Sequence, residues 1–323
     1  MLRLLCRLAL LALLIVVILL LAIRWSAVRR ESLPAEGLMP DTGGFVTAAG
    51  ERFYILSAGP EDGQPVLLAH GTAAWSGFWQ NELELLGQKG YRAIAFDMPP
   101  FGFSDRAADG DYSRPRQAQR IIALAGTLER APILVAHSFG AAAGTEAVLR
   151  DPGAFAGLVI VDGAIGMADT PTAARLPLPL RPMPLREVAV AATATNPRMT
   201  GRLLAQMLHR KEAATERNIR ILQLPLRREG TTRAYAEWLP ALLAPTPEAL
   251  SRRAANYRDL SLPVRIIWGD KDTVTPPVQA EALAAAIGQA PVRYLKDVGH
   301  VPHIEAPRAF SAALVSVLGE MTE

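Results

Sequence analysis

Apolar positions run along the chain in three distinct patterns. From Leu8 to Ile23 sixteen consecutive residues are apolar, and Leu2, Leu4, Leu5 and Cys6 extend the run past Arg3 and Arg7. A bilayer-crossing helix needs about 20 residues, so Leu2–Trp25 can cross, with the long stem of Arg7 reaching back to the headgroups. Further on, short apolar runs alternate with helical spacing. The runs predict strands over Arg52–Ser57, Val66–Ala69, Arg92–Phe96, Ile133–Ala136, Leu158–Val161, Val264–Trp268 and Val292–Leu295. Helices are predicted over Gly77–Gln88, Arg114–Leu128, Gly140–Arg150, Val278–Ile287 and Pro307–Leu318. Such alternation marks βαβ units, and hence an α/β fold with a mostly parallel central sheet flanked by helices. Between Gly163 and Leu260 the strands stop and the sequence becomes helical and proline-punctuated. A structureless loop of that length inside a compact domain is improbable, so this interval reads as an inserted helical domain. The expected organisation is a transmembrane anchor at 1–25, a tether at 26–44, a core made of 45–162 and 261–323, and a helical cap at 163–260.

Composition sharpens the first pattern. Mean hydropathy is +0.17 over 323 residues, and the N-terminal run supplies all of that excess; the remainder has ordinary globular polarity. A cleaved secretory signal is the main rival reading, but its apolar region is usually about 7–15 residues with small residues at the cleavage site. Trp25 occupies the place where a small residue would be needed for cleavage after Ala27. The run therefore reads as an uncleaved single-pass anchor. Arg3, Arg7 and the amino terminus balance Arg24, Arg29 and Arg30 across it. A large domain that follows one anchor is expected on the extracytoplasmic side.

Net charge is +3, from 34 basic and 31 acidic residues, too little for a nucleic-acid partner. Its distribution is more informative. The insert carries 15 basic and 8 acidic residues and residues 1–30 carry five arginines, which leaves the core at −9. The single cysteine, Cys6, excludes an internal disulfide and a Cys-based zinc cluster. No sequence feature sets an oligomeric state.

Candidate chemistry gathers at strand ends. The run Ile133–His137 stops abruptly at Ser138, and the small-residue sequence Gly140-Ala141-Ala142-Ala143-Gly144 begins a helix. A serine on a sharp strand-to-helix turn has its hydroxyl exposed, close to a helix N-terminus that favours negative charge. Serine needs a base, and the base an orienting acid. Downstream, Trp268-Gly269-Asp270-Lys271-Asp272 ends one strand and Asp297-Val298-Gly299-His300-Val301-Pro302-His303 follows another, which supplies the order Ser138, Asp272, His300. Asp162 and Asp270 are alternative acids and His303 an alternative base. Oxyanion donors are expected from the backbone amides of Thr72, after the turn at His70-Gly71, and of Phe139, after the nucleophile. His70 reads as structural. Trp75 and His137 are candidates for the substrate pocket, although His137 can equally pack beneath the serine turn.

Together these segments resemble the α/β-hydrolase family, in its branch with a helical cap, over roughly residues 45–320. The matching residues are His70-Gly71 with Trp79, the turn Asp97-Met98-Pro99-Pro100-Phe101-Gly102-Phe103-Ser104, the elbow at Ser138, Trp268 to Asp272, and Gly299-His300 with Pro302, Glu305 and Pro307. Two positions depart from the family's pattern: Pro100 stands where glycine is usual, and Ala136 replaces the first elbow glycine. Serine at the elbow separates the chain from dehalogenases and epoxide hydrolases, which use aspartate there. The resemblance implies a serine hydrolase that cleaves carboxylic esters through an acyl-enzyme, without metal or organic cofactor. A C–C bond hydrolase or cofactor-free perhydrolase would use the same triad, and a non-catalytic small-molecule binding protein could retain the fold. A basic cap over an acidic core, held near a bilayer, further suggests an apolar ester as substrate.

Overall fold

The structure is a computed structural model that describes residues 1–172 and 174–322; Ala173, within the insert, and Glu323 lie outside the described residues. Among the described residues eight strands form one sheet: β1 (Gly43–Ala48), β2 (Glu51–Ala58), β3 (Pro65–Ala69), β4 (Arg92–Phe96), β5 (Ile133–His137), β6 (Gly157–Val161), β7 (Val264–Gly269) and β8 (Val292–Leu295). Their order is β1-β2-β4-β3-β5-β6-β7-β8. Pairing is antiparallel from β1 to β4 through β2, and parallel elsewhere.

Side-chain alternation explains why both faces are covered. Along β3, β5 and β6, Leu67, Leu134 and Ile160 enter one apolar cluster while Val66, Val135 and Val159 enter another. The first cluster is closed by α3 (Arg114–Ala125), α4 (Phe139–Arg150) and α9 (Val278–Ala286) through Ile121, Ala143 and Leu283. The second is closed by α2 (Gln80–Gln88) and α11 (Pro307–Thr322) through Leu86 and Phe310. A sheet buried on both faces reads as continuous apolar runs, which is why these strands were legible. Strand β1 was not: Gly43-Gly44-Phe45-Val46-Thr47-Ala48 is an edge strand, half exposed and glycine-led, which pairs with β2 from Gly43↔Leu56 to Ala48↔Glu51.

Among the described residues four α-helices lie between β6 and β7: α5 (Met183–Ala192), α6 (Pro197–Met207), α7 (Glu216–Gln223) and α8 (Thr231–Leu243). Leu204, Leu208 and Leu222 of this insert pack on Ala74, Phe78 and Val301 of the core.

The N-terminal helix α1 (Leu2–Arg30) is long and apolar enough to cross a membrane, and none of its apolar window is buried. The stretch expected to be a tether differs from a free linker. Ser26–Arg30 continue α1, Gly43 begins β1, and of the residues between, Glu31 and Leu33 are bonded to the insert while Ala35, Leu38 and Pro40 lie against the core. Arg24 pairs with Glu187 at 2.7 Å, Arg30 donates to the Ala191 carbonyl at 3.3 Å, and Ala27 is fully buried. The Glu31 carboxylate accepts from the Thr232 amide at 3.0 Å and from its hydroxyl, and the Glu229 amide donates to the Leu33 carbonyl at 2.9 Å. Proline and glycine at 34, 37 and 40 suggested a tether, and this ion pair and these hydrogen bonds are long-range and invisible to local pattern.

Candidate active site

The site is assembled at the carboxyl ends of β3, β5, β6 and β7, where open α/β sheets collect their functional loops. Ser138 sits between β5 and α4 with φ +52°, a left-handed backbone that costs a non-glycine residue of order 1–3 kcal/mol and persists only under surrounding constraint. That constraint is visible: the Ser138 amide donates to the Val161 carbonyl at 3.0 Å, and its own carbonyl accepts from Ala141 and Ala164 at 3.0 Å each. Small residues let α4 and the neighbouring loop approach. A Cβ on Gly140 would lie 2.5 Å from the His70 carbonyl oxygen, and one on Gly71 would lie 3.1 Å from the Ser138 Cβ. The departure at Ala136 is also explained. A Cβ on Gly144 would come within 3.1 Å of the Ala136 methyl, so the helix gives up a side chain where the strand has gained one.

His300 Nε2 lies 2.8 Å from Ser138 Oγ, and His300 Nδ1 lies 2.7 Å from Asp272 Oδ2. All three side chains are buried. Asp272 also accepts from the amides of Val274 and Thr275 at 2.7 and 2.9 Å and from the Thr275 hydroxyl at 2.6 Å. Burial alone would push its carboxyl up, but the hydrogen bonds from His300 and Thr275 and the His300 charge outweigh it and hold Asp272 below the usual carboxylate range. Thr275 was missed in the sequence. It stands three residues beyond the acid, and only the fold brings its hydroxyl to 3.2 Å from His300 Nδ1 as well.

Each alternative residue has another task. Asp270 accepts from the Val298 amide at 3.3 Å and ties the two loops together. Asp162 accepts from the Gly269 amide at 2.8 Å. His303 stacks on Trp79 at 4.5 Å, and neither of its ring nitrogens has a partner among the described residues; burial drives it down to about 3, so it is a neutral core ring. His70 accepts from the Met98 amide at 2.9 Å and donates to the Gly71 carbonyl at 2.8 Å, and burial lowers it to about 4.

The turn that follows β3 is held from below. Asp97 accepts from the amides of Ser76 at 2.6 Å and Phe103 at 2.7 Å, and Gly102, at φ +59°, leaves room for its carboxylate. Among the described residues neither the Thr72 nor the Phe139 amide has an acceptor. Beside Thr72 opens a cavity of about 320 Å³, walled by Thr72 and Ala73, by Val274, and by insert residues including Ala194, Leu203, Met207, Leu222 and Leu226.

The two candidate pocket residues, Trp75 and His137, make buried hydrogen bonds of their own. Trp75 donates its indole N–H to the Ile221 carbonyl at 2.7 Å and packs edge-on against Phe103, so it joins insert to core. His137 is bonded through Nε2 to the His300 carbonyl at 2.7 Å, beneath the base. The amphipathic character that suggested a pocket wall is spent on these buried bonds. Glu305, seen in the sequence as a motif residue, accepts from the amides of Gly299 and Val301 and also of His209 and Arg210 in the insert, at 2.8–3.1 Å. The His300 amide itself donates to Met207 of α6 at 3.1 Å. The insert and the base loop are therefore a single hydrogen-bonded unit.

The profile of the alpha/beta hydrolase family matches residues 66–313. The chain belongs to the alpha/beta hydrolase family. Across 286 residues it is 25% identical to the 2-hydroxymuconate semialdehyde hydrolase of Pseudomonas sp. (strain CF600), covering 87% of this chain and 95% of the relative. Among solved structures, the meta-cleavage product hydrolase CumD from Pseudomonas fluorescens IP01 superposes with a TM-score of 0.71 at 24% identity, over 86% of this chain and 98% of that one. A membrane phospholipase A, described as a bacterial virulence factor, superposes over 100% of both chains with a TM-score of 0.66 at 22% identity. This protein is an α/β-hydrolase enzyme with an apolar N-terminal helix of spanning length.

Proposed function

We propose that this protein is a membrane-anchored serine hydrolase that cleaves carboxylic esters with an apolar acyl group. The observation that carries the reading is the unbroken contact from Ser138 Oγ through His300 to Asp272 at 2.8 and 2.7 Å, beside a mostly aliphatic cavity. His300 Nε2 takes the Ser138 proton as Oγ attacks the ester carbonyl, and the charge on Asp272 stabilises the imidazolium that forms. The amides of Thr72 and Phe139 donate to the developing oxyanion, and His300 returns the proton to the leaving alkoxide. Water, activated by the same imidazole, then releases the acid from Ser138. The insert acts as the cap: its α6 and α7 close the acyl side of the cavity.

Residues 2–25 would anchor the enzyme in the bilayer with the catalytic domain on the extracytoplasmic side. The docking of the helix end onto α5 holds the basic insert near the headgroups, where an apolar ester would enter. A second reading, C–C bond hydrolysis, draws on the likeness to 2-hydroxymuconate semialdehyde hydrolase. An acidic substrate of that kind wants a cation to receive its carboxylate, and the described cavity lining holds neither arginine nor lysine. That favours the ester.

The full chain in detergent, labelled with a fluorophosphonate and offered a panel of esters of graded acyl length, tests the proposal. Ser138-dependent labelling with a preference for medium or long acyl chains is expected. Labelling that survives Ser138→Ala, or turnover confined to vinylogous C–C substrates, would overturn it. Resistance of the full chain to alkaline extraction from membranes tests the anchor.

A further inference from the structure

Asp162 is a buried carboxyl that the mechanism above leaves unused. It ends β6 in a left-handed conformation, φ +43°, that only a few non-glycine residues tolerate. It has no exposed surface. Its amide donates to the Ile267 carbonyl at 3.1 Å and its Oδ1 accepts from the Gly269 amide at 2.8 Å, so backbone on both sides dictates where the side chain lies. Its Oδ2 is fully buried and has no partner among the described residues. One oxygen of Asp162, one of Asp272 and a ring nitrogen of His300 lie within 4.8 Å of one another.

A pair of carboxyls this close and this dry does not ionise twice; the proton goes to the one with fewer donors. Asp272 receives four hydrogen bonds, Asp162 one. Burial, the Asp272 charge and Glu305 beyond it drive Asp162 well above the usual carboxylate range. An orphaned Oδ2 that carries a proton ceases to be an unpaired acceptor and becomes a donor, and an Asp272 oxygen lies within 4.8 Å of the Asp162 carboxyl to receive it. The Thr275 hydroxyl can release a lone pair of Asp272 for it, because the Asp162 carbonyl lies 3.3 Å away as an alternative acceptor.

We propose that Asp162 is a positioning residue of the triad: it stands as a neutral carboxylic acid whose Oδ2–H donates to Asp272, fixing that carboxylate against His300 without adding a second negative charge. The idea rests on the triad reading. Its consequence is that the imidazolium formed during attack faces one charge rather than two charges that would raise its basicity and slow the return of the proton.

Asp162→Asn separates the possibilities, because the amide keeps an acceptor for the Gly269 N–H, keeps a donor for Asp272, and is neutral. Ester kcat/KM for this variant is expected to stay within about threefold of wild type, and the acid limb of its pH profile within about 0.3 unit. If Asp162 is ionised, the variant removes a charge beside the imidazole and the limb moves down by about one unit or more; that result overturns the proposal. Asp162→Ala loses the donor, and kcat is expected to fall about ten- to a hundredfold with KM within about twofold. An Asn variant as impaired as the Ala variant would also overturn it. Should Asp162→Ala fail to fold, an infrared difference spectrum of wild type against Asp162→Asn at neutral pH decides: the carbonyl band of a protonated carboxylic acid is expected in wild type only, and its absence refutes the assignment. That spectrum needs no turnover, so its failure is distinct from a failure of the serine-hydrolase reading, which Ser138→Ala reports.

Discussion

The strand-end loops and the helical insert meet at the same cavity but are held by different means. The loops are held by backbone: Ser138, Asp162 and Asp297 all sit at positive φ, glycines at 71, 140 and 144 remove side chains where two segments touch, and buried amides find carbonyls on the adjoining strand. The insert is held mainly by side chains, the apolar contacts of Leu204, Leu208, Leu222 and Trp238 together with Glu305 at the end of α6, Trp75 beneath α7 and Glu31 beneath α8, and by a few backbone bonds such as His300 N–H to Met207. Rigid backbone suits groups that must stay aligned through a reaction. Marginal side-chain clamps suit a wall that has only to enclose an apolar chain. The difference teaches that loss of alignment and loss of enclosure are separable by mutation.

The largest effect is expected within the loops. Ser138→Ala should lower ester turnover by about 10³-fold or more and abolish fluorophosphonate labelling, with an unchanged melting temperature. Gly71→Ala comes next: its methyl would lie 2.8 Å from His137 Nδ1 and 3.1 Å from the Ser138 Cβ. Turnover should fall about a hundredfold through displacement of the oxyanion turn, while circular dichroism stays native. If Gly71→Ala costs nothing, the loops are not the rigid partner in the comparison. Glu305→Gln keeps the shape but turns an amide donor toward some of four backbone N–H groups, a loss of about 2 kcal/mol in chemical denaturation. It also loosens the insert from the base loop, so KM for long-chain esters should rise more than kcat falls.

The smallest effect concerns pH. His70 and His303 are lowered to about 4 and about 3, and His137 well below its ordinary value, chiefly by burial. Below about pH 6.5 the unfolded chain takes up protons that the folded one refuses, so stability falls as pH drops from about 6.5 towards 4. A thermal melt series should show this. His303→Phe should flatten its slope and leave ester turnover within about twofold; a dead His303→Phe enzyme would make that ring more than the neutral core group it resembles.

The sheet was readable because strands buried on both faces are continuously apolar, and the candidate residues Ser138, Asp272 and His300 were proposed because each stands in the loop that follows a strand. What escaped reading depended on contacts between residues far apart in sequence. Gly43–Ala48 was missed because an edge strand with one face in solvent has no run to detect. Trp75 and His137 stood only as pocket candidates, because a polar tip on an aromatic body suits a wall or a buried clamp, and their partners, the Ile221 and His300 carbonyls, are 146 and 163 residues away. The same holds for the stretch after the apolar helix, whose proline and glycine promised a linker while Glu31 was already committed to Thr232.

Residue types and their order along the chain were enough to specify the βαβ architecture and the length of the apolar helix, and to nominate Ser138, Asp272 and His300 as candidates, because hydrophobic periodicity and strand-end chemistry are local properties. Which of these groups come together, what Trp75 and His137 bond to, and how the helix end grips the insert were decided only when chain segments 28 to 201 residues apart came within hydrogen-bond distance. At that range the outcome depends on direction and on competing partners, and neither is written in local pattern.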